Sequence, residues 1–212
     1  MSAATLYVGV SNRTGGEVSG LYRRPSDGDN WSLCGLPPRT HVHAVSVHPE
    51  DPNVVYVAAS SGVHRSRDRG ETWTCLVPSE GKEQFWSVQF HPSNARTVLA
   101  GTAPLGLVRS DDGGETWKRM PKPAIGERMV GAFPSRIMRM AISAARPDTI
   151  WAGMEVNGAM RSDDGGESWT DLTDPLVALA QQPHLSSAIL TKDISEGMLD
   201  IHALCVSDNT PD

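Results

Sequence analysis

Apolar and polar residues alternate in short runs along this chain, and turn-forming residues close each run. His41-Val42-His43-Ala44-Val45-Ser46-Val47 has the two-residue period of a strand with one buried face. His48-Pro49-Glu50-Asp51-Pro52 follows as a turn that Pro and Asp favour. Val54 to Ala58 predicts a second strand and Gly62 to Ser66 a third, and Thr72 to Leu76 opens a fourth. We label these classes A to D. The order returns in Trp86 to Phe90, Thr97 to Gly101 and Gly106 to Ser110, and again in Met138 to Ile142, Ile150 to Gly153 and Gly158 to Arg161. Tyr7, Tyr56, Leu99 and Trp151 fall at one equivalent position, which predicts packing between neighbouring units.

Between strands C and D the chain repeats a string. Arg109-Ser110-Asp111-Asp112-Gly113-Gly114-Glu115-Thr116-Trp117 returns almost unchanged as Arg161 to Trp169. Arg65 to Trp73 keeps the frame Ser-x-Asp-x-Gly-x-Thr/Ser-Trp, and Arg23 to Trp31 is a worn copy with Ser26 in place of the Asp and Arg24 in place of the Ser. The fixed positions are Ser66, Asp68, Gly70 and Trp73, then Ser110, Asp112, Gly114 and Trp117, then Ser162, Asp164, Gly166 and Trp169. Ser and Asp side chains can bond nearby backbone N–H groups, and Gly supplies the positive φ of a closed turn. The Trp is the apolar anchor of each unit. Successive Trp residues stand 42, 44 and 52 positions apart, a period that points to propeller blades. The fold class expected is all-β: a partial β-propeller of four to five four-stranded antiparallel blades, within one domain over 1–212. Blades are expected near 4–35, 41–78, 85–120 and 138–173, with the start of another at 200–206.

At these boxes the chain resembles the Asp-box, or BNR-repeat, β-propellers. That group includes sialidases, xyloglucan-cutting endoglucanases, sortilin-type receptors and photosystem assembly factors. The resemblance covers most of the chain and implies the propeller fold. It implies little about function, because enzymes and non-enzymes share the box. Tyr22-Arg23-Arg24-Pro25 is similar to the sialidase Tyr/Phe-Arg-Ile-Pro motif, but Arg23 aligns with Arg65, Arg109 and Arg161, so the segment reads as strand C of the first unit.

Composition narrows the classes. With 39% hydrophobic and 21% charged residues among 212, the chain can bury a core. A net charge of −6 disfavours a general nucleic-acid surface. The start, Met1 to Val8, reads as a first strand rather than a signal peptide, and no apolar run approaches the roughly 20 residues of a membrane span. Cys34, Cys75 and Cys205 have unrelated spacings and fit reduced thiols in a cytoplasmic protein, with no zinc site.

The ends are uneven. Thr5 to Val10 matches strand B with no strand A before it, whereas Asp200 to Val206 matches strand A, His202 lying over His43. Ser207 to Asp212 then reads as an A-to-B turn. A fragment of a larger propeller is expected in preference to a closed four-bladed ring.

Chemistry is expected on the face formed by the D-to-A and B-to-C connections. The D-to-A links from Lys118 to Arg136 and from Asp171 to Leu199 are long, and long loops in compact domains often carry function. Lys118, Arg119, Lys122, Arg128, Arg136 and Arg139 make the first link and its strand basic. Guanidinium groups converging on a cavity would suit a carboxylate or phosphate, and solvated surface charge is the plain alternative. Ligand-binding candidates are Arg136, Arg139, His43, Trp86 and His202. Glu155, close to Asn157 in a B-to-C connection, and Asp200 are the catalytic candidates for glycoside hydrolysis if their separation permits. His43 and His202 are placed on the channel, His48 and His91 in turns, and their spacing alone makes no metal site. No metal and no cofactor are expected, and the boxes lack EF-hand calcium spacing. The leading expectation is a ligand-binding or scaffold and assembly module, and a glycoside hydrolase is the alternative. Carbohydrate, an anionic small ligand or a protein is the expected partner; nucleic acid and membrane are not.

Overall fold

A computed structural model describes residues 4–11, 19–126, 128, 133–189 and 192–208. The alternating runs form four antiparallel sheets. The first is three-stranded, β1 (Thr5–Val10), β2 (Gly20–Pro25) and β3 (Ser32–Leu33). The second joins β4 (Val42–Val47), β5 (Val55–Ala59), β6 (Gly62–Ser66) and β7 (Thr74–Pro78). The third joins β8 (Gln84–His91), β9 (Asn94–Ala103), β10 (Gly106–Ser110) and β11 (Lys118–Arg119). The fourth joins β12 (Arg136–Ile142), β13 (Ile150–Glu155), β14 (Gly158–Ser162) and β15 (Thr170–Asp171). Each sheet is an up-and-down blade, and β1, β4, β8 and β12 neighbour one another in series. This is a β-propeller architecture, with the core between blades rather than within one. Leu21, Val42 and Val57 fill the first gap, Tyr56, Phe85 and Val98 the second, and Leu99, Ile137 and Met154 the third.

Within this all-β architecture the long second link carries two short helices, α1 (Thr173–Ala180) and α2 (Glu196–Leu199). No helix among the described residues is long and apolar enough to cross a membrane.

Every intact box closes on its serine. The Ser66 hydroxyl donates to Asp68 Oδ1 at 2.7 Å and accepts from the Gly70 N–H at 2.7 Å. Asp68 then accepts from the Thr72 N–H at 2.9 Å and the Thr72 hydroxyl at 2.6 Å. Ser110, Asp112 and Thr116 repeat this geometry, as do Ser162, Asp164 and Ser168. Gly70, Gly114 and Gly166 have φ of 92°, 84° and 99°, which explains the glycine there. These hydrogen bonds, first from the threonine or serine hydroxyl and N–H, hold the Asp68 and Asp164 carboxyls down at about 2 and that of Asp112 lower still. Trp73, Trp117 and Trp169 each pack half-buried against a gap cluster, whereas Trp31, in the worn box, is 45% exposed and meets the Arg24 guanidinium.

The arginine before each box reaches the next blade. Arg65 Nη1 donates to the Gly113 carbonyl at 2.7 Å and to Glu115 at 2.8 Å, and Arg109 Nη1 donates to the Gly165 carbonyl at 3.2 Å. Arg23 makes the equivalent contacts to the Arg69 carbonyl and Glu71. The equivalent position noted in the sequence joins in: Tyr7 and Tyr56 donate to the same carbonyls of Arg69 and Gly113, and Leu99 packs against the fourth blade. Each box is thus both a turn and the socket for its predecessor.

The segment expected to begin another blade lies on the fourth one. Ile201 N–H donates to the Met154 carbonyl at 3.0 Å, and a Cβ on Gly153 would stand 2.4 Å from the Ile201 side chain. The same close approach joins Gly9 to Val42 and Gly101 to Ile137. Ile201 therefore occupies the place of an inner strand on the preceding blade. It does not pair with β1, whose sheet order is β1-β2-β3. The segment also differs from expectation in forming no strand ladder over residues 201–207. Asp208 fastens its end, accepting from the Ser143 hydroxyl at 2.5 Å and the Ala144 N–H at 2.7 Å. Residues 209–212 of the expected turn are outside the described residues.

Two outcomes follow from the box. Arg65→Ala should cost about 2 kcal/mol in urea unfolding, as a nearly buried charged donor is lost. Arg161→Ala should stay within about 0.5 kcal/mol, because among the described residues Arg161 pairs only with Asp163 of its own box; equal costs would refute the inter-blade role. The depressed carboxyls contribute stability fully above the ordinary aspartate range, near 3.9, and lose it as pH falls toward 2. Unfolding midpoints measured from pH 5 to pH 2 should therefore fall steeply in the wild type and less steeply in Asp68→Asn/Asp164→Asn.

Candidate functional site

The three complete inner strands share an irregularity. The register slips between Val42 and Ala44, between Phe85 and Ser87, and between Ile137 and Arg139. The bulged residues are thus His43, Trp86 and Met138, and a bulge re-aims a side chain that regular pleating would fix. His43 and Trp86 turn toward each other across two blades. Their rings stack 3.9 Å apart with 5° between planes, and His43 Nδ1 bonds the Phe85 carbonyl at 2.8 Å.

Arg136 extends the stack. Its guanidinium carbon lies 4.0 Å from the Trp86 ring centre and 4.3 Å from that of Phe133. At such distances His43 and Arg136 must occupy opposite faces of Trp86. Arg136 and Glu155 are cross-strand partners on β12 and β13, and Nε meets Glu155 Oε2 at 2.7 Å. Both side chains are largely shielded, at 9% and 16% exposure. Glu155 ends β13 just before Val156, whose φ of 54° is costly for a β-branched residue. Asn157, buried, holds this corner: its Oδ1 accepts from the Arg128 N–H at 2.8 Å and its Nδ2 donates to the Gly126 carbonyl at 3.2 Å. On the other side Glu155 faces Asp200 and His202, with one ligating atom from each of the three within 4.8 Å of the others. His202 Nε2 is 3.1 Å from Asp200 Oδ1.

Six of the seven expected residues therefore form one line: His43, Trp86, Arg136, Glu155, Asp200 and His202. Arg139 is set apart in a cavity of about 360 Å³ beside the inner strands, lined also by His43, Ala44, Ser87, Gln89 and Gly9. Its Nη1 donates to the Met138 carbonyl at 2.7 Å. His43 borders both the cavity and the stack.

The basic link does not converge on the cavity. Lys118 pairs with Glu167 at 2.6 Å, Arg119 with Glu83 at 2.7 Å, and Arg128 with Asp171 and Asp174 at 2.8 Å. Lys122 is exposed. Local carboxylates neutralise most of the charge that the sequence concentrates there. Residues 127 and 129–132 of this link are outside the described residues.

Phe133 was not singled out in the sequence. It follows no repeat position, and it stands three residues before Arg136, whose guanidinium lies over its ring. The role of Arg23, Arg65 and Arg109 also escaped sequence reading, although their alignment before each box was its visible signal.

The BNR/Asp-box repeat family matches residues 108–119, the third blade's box. Xyloglucanase Xgh74A of Acetivibrio thermocellus is 26% identical over 72% of this chain and 23% of its own length. The oligoxyloglucan-reducing end-specific xyloglucanase of Emericella nidulans is 24% identical over 72% of this chain and 21% of its own. The chain thus carries Asp-box repeats and is homologous to xyloglucanases, and it spans less than a quarter of the length of these relatives. The structure of an ancestral GH74 enzyme superposes with a TM-score of 0.62 over 76% of this chain and 22% of that one, at 19% identity, which agrees with the propeller fold.

The shielded ion pair should be costly to halve. Arg136→Met should lose about 2 to 4 kcal/mol in chemical unfolding, since the shielded Glu155 carboxylate loses the Arg136 charge. The double variant Arg136→Met/Glu155→Leu should recover most of that loss; a purely additive cycle would deny the coupling.

Proposed function

We propose that this chain is the carbohydrate-binding arc of an Asp-box propeller, taking a xyloglucan-type oligosaccharide against its inner strands. The observation that carries the reading is His43, an imidazole face braced by Trp86 and Arg136 behind it, at the edge of the cavity that also holds Gln89 and Arg139. A rigid ring beside fixed hydrogen-bonding groups suits a sugar, whose ring has apolar C–H faces and a polar edge. Relatedness to xyloglucanases supports the glucan class.

Hydrolysis by the same face is the second reading, favoured by those relatives and by the approach of Glu155 to Asp200. One oxygen of each carboxylate lies within 4.8 Å of the other, nearer to the about 5 to 5.5 Å carboxyl separation of retaining enzymes than to the about 6.5 to 9.5 Å of inverting ones. Against this reading, Glu155 is committed to Arg136. The cavity lining contains no carboxylate among the described residues.

Calorimetric titration with xyloglucan oligosaccharides should give saturable binding that weakens at least tenfold in His43→Ala and Arg139→Ala, with both variants folded by circular dichroism. Absence of binding by the folded wild type would overturn the proposal. Release of reducing ends from xyloglucan, lost in Asp200→Asn, would move the chain to the hydrolase reading.

A further inference from the structure

Arg24 and Arg69, one from each of the first two blades, line a cavity of about 360 Å³ between the worn box and the box of the second blade. We infer that this cavity binds a phosphate group through those two arginines, at a place that shares no lining residue with the cavity beside the inner strands.

The repeat shows what is unusual here. Arg24 stands where the intact boxes have Ser66, Ser110 and Ser162, and Arg69 stands where the third and fourth boxes have Gly113 and Gly165. Both departures work against the turn. Arg24 cannot supply the hydroxyl that closes a box. Arg69 holds a φ of 60°, in the left-handed region where Gly113 and Gly165, at 75° and 70°, are unstrained. Backbone strain of this kind clusters at ligand clamps.

Both guanidinium groups are positioned without being neutralised. Arg24 Nη1 donates to the Gly28 carbonyl, and its guanidinium carbon lies 5.2 Å from the Trp31 ring centre. Arg69 Nε donates to Asn53 Oδ1 at 2.8 Å. Neither arginine makes an ion pair among the described residues, and Arg24 Nε, shut off from solvent, meets no acceptor there. Asp68 and Glu71 line the same cavity, but both are engaged elsewhere. Asp68 accepts from Ser66 and Thr72 within its own box, and Glu71 accepts from Arg23. With Arg23, Arg24 and Arg69 against these two carboxylates, the lining carries a net charge of +1.

That balance suits a phosphate. A guanidinium fork donates paired N–H groups to phosphate oxygens, and two forks from different blades can reach different oxygens of a tetrahedral ion, whereas one fork satisfies a planar carboxylate. Among the described residues Arg69 keeps Nη1 and Nη2 uncommitted, and Arg24 keeps Nη2. The Thr5 hydroxyl, on the same lining, adds a neutral donor. The volume leaves room for a small alcohol esterified to the phosphate.

The full chain, in phosphate-free buffer with about 0.15 M sodium chloride to screen diffuse attraction, is titrated calorimetrically with sodium phosphate, glucose 1-phosphate and sodium acetate. The expected result is one phosphate site per chain, weakened roughly tenfold or more in Arg69→Gly and in Arg24→Ser and unchanged in Lys122→Ala, an exposed cation elsewhere. Arg69→Gly restores the glycine of the other boxes, so it should unfold at the same urea concentration as the wild type or a higher one, and its lost binding is then not a lost fold. Tighter binding of glucose 1-phosphate than of phosphate would assign the site to a phosphate ester, and the reverse to the free ion. No binding by the wild type, equal affinity in Arg69→Gly, an equal loss in Lys122→Ala, or acetate bound as tightly as phosphate would overturn the site.

Discussion

A single buried hydroxyl decides whether each blade can close. Ser66, Ser110 and Ser162 are each about 1% exposed, and each oxygen accepts the N–H of the box glycine four residues on while donating to the box aspartate. Without that oxygen a buried amide loses its partner, a cost of about 1 to 3 kcal/mol that the compact turn cannot avoid. The aspartate accepts from the N–H and hydroxyl groups of the rest of the turn, and as an acceptor it cannot engage the turn's carbonyls. Those of Arg69, Gly113 and Gly165 become acceptors for the arginine of the preceding blade. Local turn chemistry and assembly of the arc are therefore one interaction seen from two sides. Where the box is worn, at Arg23 to Trp31, the tryptophan lies more open.

The inner strands answer a different constraint. Blades converge toward the channel, and their backbones approach so closely that Gly9, Gly101 and Gly153 have no room for a side chain. Bulges one step along each inner strand relieve the pleat and turn His43 and Trp86 out of alternation. What ordinary pleating would have hidden or scattered becomes a stack across two blades. Arg136 is the joint between this stack and the carboxylates beyond it, since one guanidinium covers an indole face and neutralises Glu155. The proposed glycan surface and the carboxylates of the fourth blade are in this sense the two ends of one line of residues.

Much of this was written in the repeat. Ser-x-Asp-x-Gly-x-Thr/Ser-Trp requires only neighbours within eight residues, and the alternation of Val42 to Val47 or Ile150 to Gly153 is local as well. Blades, boxes and the shared position of Tyr7, Tyr56 and Leu99 could therefore be read before any coordinates. The helical turns inside the link from Asp171 to Leu199 could not, because that stretch repeats nothing and α1 takes its place through contacts with β14.

The sequence by itself determined the period, the turn chemistry and which strand follows which, because those depend on residues close in the chain. It also put His43, Trp86, Arg136, Glu155, Asp200 and His202 on one side of the molecule, since strand class assigns a face. Only the tertiary structure decided that these six touch and Arg139 does not, and that Lys118, Arg119 and Arg128 spend their charge on Glu167, Glu83, Asp171 and Asp174. The reason is distance along the chain. Contacts between residues dozens of positions apart depend on blade angle and bulge register, which a change of one residue can reverse and which no local pattern encodes.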